Sequence, residues 1–349
     1  MALKFVYNPI SGSLDLINTI SSAELTSRWW DISPKNGYVL PISQPRAYFP
    51  VILFNSTPIF KDPTGTLRKY VSYYAAAASA QGYAAFSDDG ITWDHETLVT
   101  GVVGNAYHAS ALVVSGIIHF FYWNTTVSIY SPAATRHATF DPSISCVATT
   151  SDNPLSGDYI NGPSGGPNMR AGTYGVDQIF YNPAPTSNPA NPYSYPWCIL
   201  HNGSNGSSET ILHATSPDGL NFSQWPSGSP LTEVIPRNLT GWDACTGRIT
   251  TFIDSKGMWH GFYSGGLGTG AGEDTNFGGG IGYATSLDGI TWTKWNKNPL
   301  IMKTEAYKAW KRLYTPWVIL DNSGYKIYFS CKDNAGLYRV AYGTLNGFI

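Results

Sequence analysis

The chain has 349 residues, of which 13% are charged, and a net charge of −2. So weak and balanced a charge leaves no electrostatic footprint for nucleic acid, and no segment is long and apolar enough to span a membrane. The abundance of Gly, Ser, Thr, Asn and Pro, with few lysines, is more typical of proteins that work outside cells. The N-terminus, Met1-Ala2-Leu3-Lys4-Phe5-Val6-Tyr7-Asn8-Pro9, has no apolar stretch or cleavage site of the secretory kind, so it does not read as a signal peptide. Residues 1–20 read instead as an arm. Asn8-Pro9 and Ser11-Gly12 are turn formers flanking two short apolar stretches, which suits a peptide that packs onto another subunit.

From residue 21 the chain reads as one domain running to 349. Paired apolar and aromatic runs, bounded by Gly, Asn, Asp or Pro, have the character of strands. They lie at 48–54 and 69–77, 109–114 and 117–123, 177–181 and 196–201, 247–253 and 258–264, and 315–320 and 325–331. After the first pair comes Ala85-Phe86-Ser87-Asp88-Asp89-Gly90-Ile91-Thr92-Trp93. It returns as Ala214-Thr215-Ser216-Pro217-Asp218-Gly219-Leu220-Asn221-Phe222 and as Ala284-Thr285-Ser286-Leu287-Asp288-Gly289-Ile290-Thr291-Trp292. Degenerate copies start at Ala148 and Ala341. Asp-Gly between apolar runs signals a hairpin, because Gly supplies the positive φ of a tight turn. A strand-built unit of roughly 57–70 residues indicates a radial array. The expectation is an all-β, five-bladed β-propeller with four-stranded antiparallel blades, each motif joining the last two strands of a blade. The fifth copy ends at its hairpin, so an N-terminal strand at 25–32, carrying Trp29 and Trp30, is expected to close the ring. Helical periodicity is nearly absent outside 305–311.

Three long insertions, 151–173, 182–191 and the glycine-rich 265–280, read as structureless loops suited to binding or subunit contact. The glycine run lacks the strand-then-helix setting of a phosphate loop. Glu273 and Asp274 within it read as solvated, so neither a metal nor a cofactor is expected. Cys146, Cys198, Cys245 and Cys331 have no metal-like spacing and are expected to be buried and unpaired. The glycosylation sequons, such as Asn55 and Asn238, read as accidents of an Asn/Ser/Thr-rich chain.

In a propeller the inner strand of each blade lines the axis, and the strand starts converge at one mouth. Those starts carry Arg46, His108, Asp177, Asp243 and Arg312, one ionisable residue per blade in a chain poor in charge. Around them stand Tyr48, Tyr107, Tyr174, Trp242, Trp310 and Tyr314, aromatic faces on which a sugar ring can rest. Such a mixture in a cleft points to a carbohydrate site. Asp177 and Asp243 are the catalytic candidates, and the other nine residues the ligand-binding ones. The alternative is that these charges merely satisfy one another inside a channel.

The hairpin motif resembles that of five-bladed propeller glycoside hydrolases, the family 43 arabinofuranosidase/xylosidase and family 32 invertase groups. The likeness covers most of 46–349. It implies carboxylates on separate inner strands serving as nucleophile or base, acid, and pKa tuner. Gly241-Trp242-Asp243-Ala244-Cys245 is similar to the invertase group's Trp-Glu-Cys acid segment, with Asp for Glu and an inserted alanine. The first blade departs from the pattern, carrying Arg46 where an acid belongs. Separately, Lys4-Phe5-Val6-Tyr7-Asn8-Pro9-Ile10-Ser11-Gly12-Ser13-Leu14-Asp15-Leu16 resembles the opening of many bacteriophage virion proteins, especially tail and fibre components. That likeness implies a virion location, with the arm docking onto other virion subunits. The leading expectation is therefore a virion appendage that recognises host surface carbohydrate at the channel mouth. A glycoside hydrolase using Asp177 and Asp243, or a purely structural virion decoration, are the alternatives.

Overall fold

A computed structural model describes residues 4–8, 13–17, 30–34, 38–76, 81–159, 172–186, 188–204, 208–227, 232–268, 278–302 and 310–347. They form a five-bladed β-propeller whose first strands pack around a common axis. Blade 1 runs outward as Ala47–Phe54, Tyr70–Ala76, Gln81–Ser87 and Asp94–Leu98. Blade 2 is Ala106–Val114, Ile117–Asn124, Thr135–Phe140 and Ser151–Pro154. Blade 3 is Gly172–Tyr181, Trp197–Ser204, Glu209–Ser216 and Asn221–Trp225. Blade 4 is Cys245–Ile253, Trp259–Gly266, Gly280–Ser286 and Trp292–Lys294.

Blade 5 closes the ring. Its strands Arg312–Asp321, Gly324–Lys332 and Tyr338–Gly347 are completed by the N-terminal strand Trp30–Pro34, with Trp30 opposite Gly347 and Pro34 opposite Gly343. The closing strand sits later than the expected 25–32, and Trp29 lies outside the described residues. Among the described residues, Lys4–Asn8 and Ser13–Ile17 pair only with each other, as a two-stranded antiparallel sheet.

The three strong motif copies are turns built the same way. Ser87 Oγ accepts from the Asp89 and Gly90 amides at 3.2 and 2.9 Å, and Asp89 Oδ1 accepts from the Ile91 and Thr92 amides, both at 2.7 Å. Ser216 with Asp218, and Ser286 with Asp288, repeat this. Gly90, Gly219 and Gly289 take φ of 72°, 77° and 72°, the left-handed region that glycine occupies without cost. The aromatic residue after each turn, Trp93, Phe222 or Trp292, is buried. Each such side chain stabilises the packing by roughly 1.5–3 kcal/mol.

The degenerate copies behave differently. Ala148 lies in the link between the third and outer strands of blade 2, where Ala138 occupies the third strand instead. Residues 343–347 continue a strand rather than turning, because Trp30–Pro34 offers them a partner. The 151–173 segment is not wholly a loop either. Ser151–Pro154 is an outer strand, and Ser156–Gly157 pairs in parallel with Asn221 and Phe222 of blade 3. Residues 269–277, with Glu273 and Asp274, and most of the suggested helical turn at 305–311 lie outside the described residues. All four cysteines are buried, and none is in a disulfide.

Candidate functional site

Every inner strand breaks its register near the axis, and that of blade 3 does so twice, the first time between Thr173 and Val176. The break falls between Tyr48 and Val51, Tyr107 and Ala109, Val176 and Gln178, Gly247 and Ile249, and Tyr314 and Trp317. A bulge frees one residue from the ladder and re-aims its side chain. Phe49, His108, Asp177, Arg248 and Thr315 are the residues so released, and together they line a small axial cavity of about 20 Å3. Phe49, Arg248 and Thr315 hold φ of 60°, 52° and 51°, strained values for side-chain-bearing residues, at a cost of roughly 1–3 kcal/mol each. Hydrogen bonds hold two of them: Ser330 Oγ accepts from the Phe49 amide at 2.9 Å and Ser264 Oγ from the Thr315 amide at 2.7 Å.

Above this ring opens a cavity of about 520 Å3. Of the expected residues, Arg46, Tyr48, Tyr107, Tyr174, Arg312 and Tyr314 stand on its wall. His108 and Asp177 do not; they lie one layer down. His108 Nδ1 donates to the Tyr174 carbonyl, and its Nε2 faces Asp177 Oδ1 at 3.0 Å. Asp177 is buried, and burial drives its carboxyl well above the usual range. With the Nδ1 position occupied by a proton, histidine and aspartate share a single proton across the 3.0 Å contact. Arg248 Nη1 stands 3.8 Å from the same Oδ1.

Asp243 is turned toward the second and outer strands of blade 4 and is not on the described cavity wall, correcting the expectation that it stands at the channel mouth as a catalytic partner of Asp177. Its Oδ2 accepts from Lys294 Nζ at 2.7 Å and from the Tyr263 hydroxyl at 3.1 Å. The aromatic residues beside these strand starts also divide. Trp242 stacks on Tyr263 with ring centroids 5.9 Å apart, and Trp310 is buried against Phe329 in the core. The described cavity wall includes neither of them.

The cavity also holds residues that the sequence reading passed over, chiefly Glu209 and Arg248. Glu209 opens the third strand of blade 3 and is the one Asp or Glu on the wall among the described residues. Its Oε2 accepts from Asn202 Nδ2 at 2.9 Å. Burial pushes its carboxyl up to about 7; the Asn202 contact and the Arg312 charge oppose this, and Asp177 adds to it. Glu209 therefore exchanges a proton near neutrality, facing a chamber walled by Tyr48, Tyr107, Tyr174, Tyr314 and Trp123. Tyr48 and Tyr107 meet edge to face at 5.2 Å, and Tyr107 and Trp123 at 5.3 Å, which fixes the rings in place. Among the described residues, no group of three or more His, Cys, Asp or Glu side chains is placed to hold a metal ion.

No protein-family model and no curated protein matches the sequence. Solved structures match in fold. One is an endo-1,4-beta-xylanase from Bacteroides thetaiotaomicron, at TM-score 0.60 and 14% identity over 88% of this chain and 97% of that one. Another is a thermostable family-43 glycoside hydrolase, at TM-score 0.56 and 12% identity over 87% and 89%. A third is an N-acetylgalactosamine deacetylase from F. plautii in complex with blood group B trisaccharide, at TM-score 0.55 and 11% identity over 91% and 96%. These relatives are carbohydrate-active enzymes, and at such identities the likeness is one of fold.

Proposed function

We propose that this protein acts on carbohydrate in the axial cavity as a propeller of the glycoside hydrolase type, with Glu209 as the group that donates a proton to the glycosidic oxygen. One observation carries the reading: the one carboxyl on the described wall, with its pKa raised to about 7, stands among fixed aromatic rings. A general acid must hold its proton near working pH and yet release it, which a value near neutrality allows. Aromatic faces supply the stacking surface for sugar rings, and 520 Å3 is ample for two or three of them. The fold likeness to a xylanase, a family-43 hydrolase and a trisaccharide-bound deacetylase supports carbohydrate as the ligand class. In this reading burial is what holds the Glu209 proton, against the opposing Arg312 charge.

Recognition without turnover is the second reading. Ordinary glycoside hydrolysis uses two carboxyl groups flanking the bond. Glu209 stands alone on the described wall, while Asp177 is engaged by His108 and Asp243 by Lys294. A glycan-array and hydrolysis screen on wild type beside Glu209→Gln separates the two. Released sugar, lost in the variant, supports the hydrolase; binding that survives in both without release supports recognition; no binding to any glycan sinks both.

A place in a virion is a reading of the N-terminal sequence, supported by the two-stranded sheet of Lys4–Asn8 and Ser13–Ile17, which among the described residues adds to no blade. Such a sheet is suited to docking on another subunit. Deleting residues 1–20 should leave the propeller folded and abolish incorporation into a particle; a truncated protein that still assembles ends this proposal.

A further inference from the structure

The polar chemistry of the cavity wall is lopsided. Arg46 enters from blade 1, Arg248 from blade 4 and Arg312 from blade 5, against Glu209 as the one described wall carboxyl. This chain has only 21 Lys and Arg among 349 residues, so three arginines on one small wall are a marked concentration. A guanidinium carries donors and no acceptor. A neutral sugar presents hydroxyls that must both donate and accept, and this wall offers few acceptors beyond Glu209 and the hydroxyls of tyrosine, serine and threonine.

Two of the three arginines are held over aromatic rings, Arg312 over Tyr314 at 4.1 Å and Arg248 over Phe49 at 4.2 Å. A guanidinium so held loses less freedom on binding, and its planar donors match a planar or tetrahedral oxyanion through two oxygens. Arg248 is mostly buried, and its contact to Asp177 at 3.8 Å is longer than a hydrogen bond.

We propose that the cavity takes an anionic glycan, one whose sugar carries a carboxylate or a sulfate ester, and that Arg46, Arg248 and Arg312 receive the anion. This rests on the carbohydrate reading above and names its substrate class. A bound oxyanion supplies acceptors to a wall whose described side chains are rich in donors. The aromatic rings carry the apolar face of the same sugar.

The test is calorimetric titration of the full chain with three probes: an oligogalacturonide, its fully methyl-esterified form, and a sulfated neutral oligosaccharide. The expected result is at least roughly tenfold tighter binding of the oligogalacturonide than of its ester, weakened by added salt. Arg46→Gln and Arg312→Gln, checked for unchanged melting temperature, should each remove most of that preference. Tight binding of the sulfated probe alone keeps the anionic class and identifies the sulfate ester as its source. Equal or tighter binding of the ester, or a preference that survives in both variants, overturns the proposal. If neutral glycans bind and Glu209→Gln alters that binding, the carbohydrate reading stands and only the anionic class fails. If no glycan binds at all, both fail.

Discussion

Gly247 stands so close to Glu209 that a Cβ there would come within 3.2 Å of Glu209 Oε2 and 2.6 Å of Asn202 Nδ2. The backbone of blade 4 thus makes room for the amide–carboxylate pair of blade 3. Gly247→Ala should displace Asn202 and turn Glu209 away from its present position. Misplacing a proton donor by about an ångström costs on the order of 100-fold in rate. The expected outcome is a loss of that order in kcat/KM on any glycan the protein turns over, with an overpacking cost of about 1–3 kcal/mol in stability. A variant with full activity would show that the position of Glu209 does not matter.

Asp243 should prove structural. Its partners Lys294 and Tyr263 tie the entry of blade 4 to that blade's second and outer strands. Asp243→Asn replaces a charge-assisted contact with a neutral one, so a cost of about 1–3 kcal/mol in urea unfolding is expected. Glycan binding should be unchanged. Abolished binding with unaltered stability would return Asp243 to the site.

The architecture was legible because its signals are local. Ser87, Asp89 and Gly90 make their turn within six residues, and the two other strong copies repeat the same bonds. Closure by the N-terminus followed from a fifth unit one strand short. The site was less legible. Counting back to strand starts found Arg46 and Arg312 but also selected Asp243, because the residue that reaches the axis is set by a bulge further along the strand. Two of these bulges had a written sign: Tyr48-Phe49-Pro50 and Tyr314-Thr315-Pro316 place a proline inside a strand-like run, where it marks a break in the ladder. Arg248 had a weaker sign, since Gly247-Arg248 interrupts the apolar alternation of its strand. Glu209 had none. It opens a third strand, and only the close approach of Gly247 and Asn202 from elsewhere in the fold makes it part of the cavity.

Acid should unfold this protein early. Burial pushes His119 down to about 4, and His137, His201 and His213 to about 3, from the ordinary 6.5. The unfolded chain binds those protons below pH 6.5 and the folded chain does not, so stability is full above 6.5 and falls as pH drops toward 3–4. Each fully buried histidine costs about 1.4 kcal/mol per pH unit in that window. Glu209 and Asp177 work the other way, their raised pKa values reducing stability as pH rises. Four groups outweigh two. Melting temperature should fall from pH 6.5 to 5, and His201→Asn should flatten the slope markedly. A flat profile would contradict neutral buried histidines.

The hairpin turns should be intolerant at their glycines. A Cβ on Gly90 would lie 2.7 Å from the Tyr328 hydroxyl and 3.0 Å from Tyr70 Cε1, at a φ of 72°. Tyr328 also donates to the Gly90 carbonyl at 2.8 Å, joining blade 5 to blade 1. Gly90→Ala is expected to destabilise by about 1–3 kcal/mol. Gly116 takes a similar φ of 81° with nothing within 4 Å of its Cβ position, so Gly116→Ala isolates the backbone component and should cost less. Equal losses would mean that the interblade contact contributes nothing.

The central claim is that Glu209 delivers a proton to a bound glycan near neutral pH. Its most direct test is the pH dependence of kcat/KM on a glycan substrate, for wild type and for Glu209→Gln. Wild-type activity should fall along an alkaline limb with a midpoint near pH 7, where Glu209 loses its proton. The variant should lose at least roughly 100-fold at the optimum, together with that limb. An alkaline limb that persists unchanged in Glu209→Gln would contradict the account.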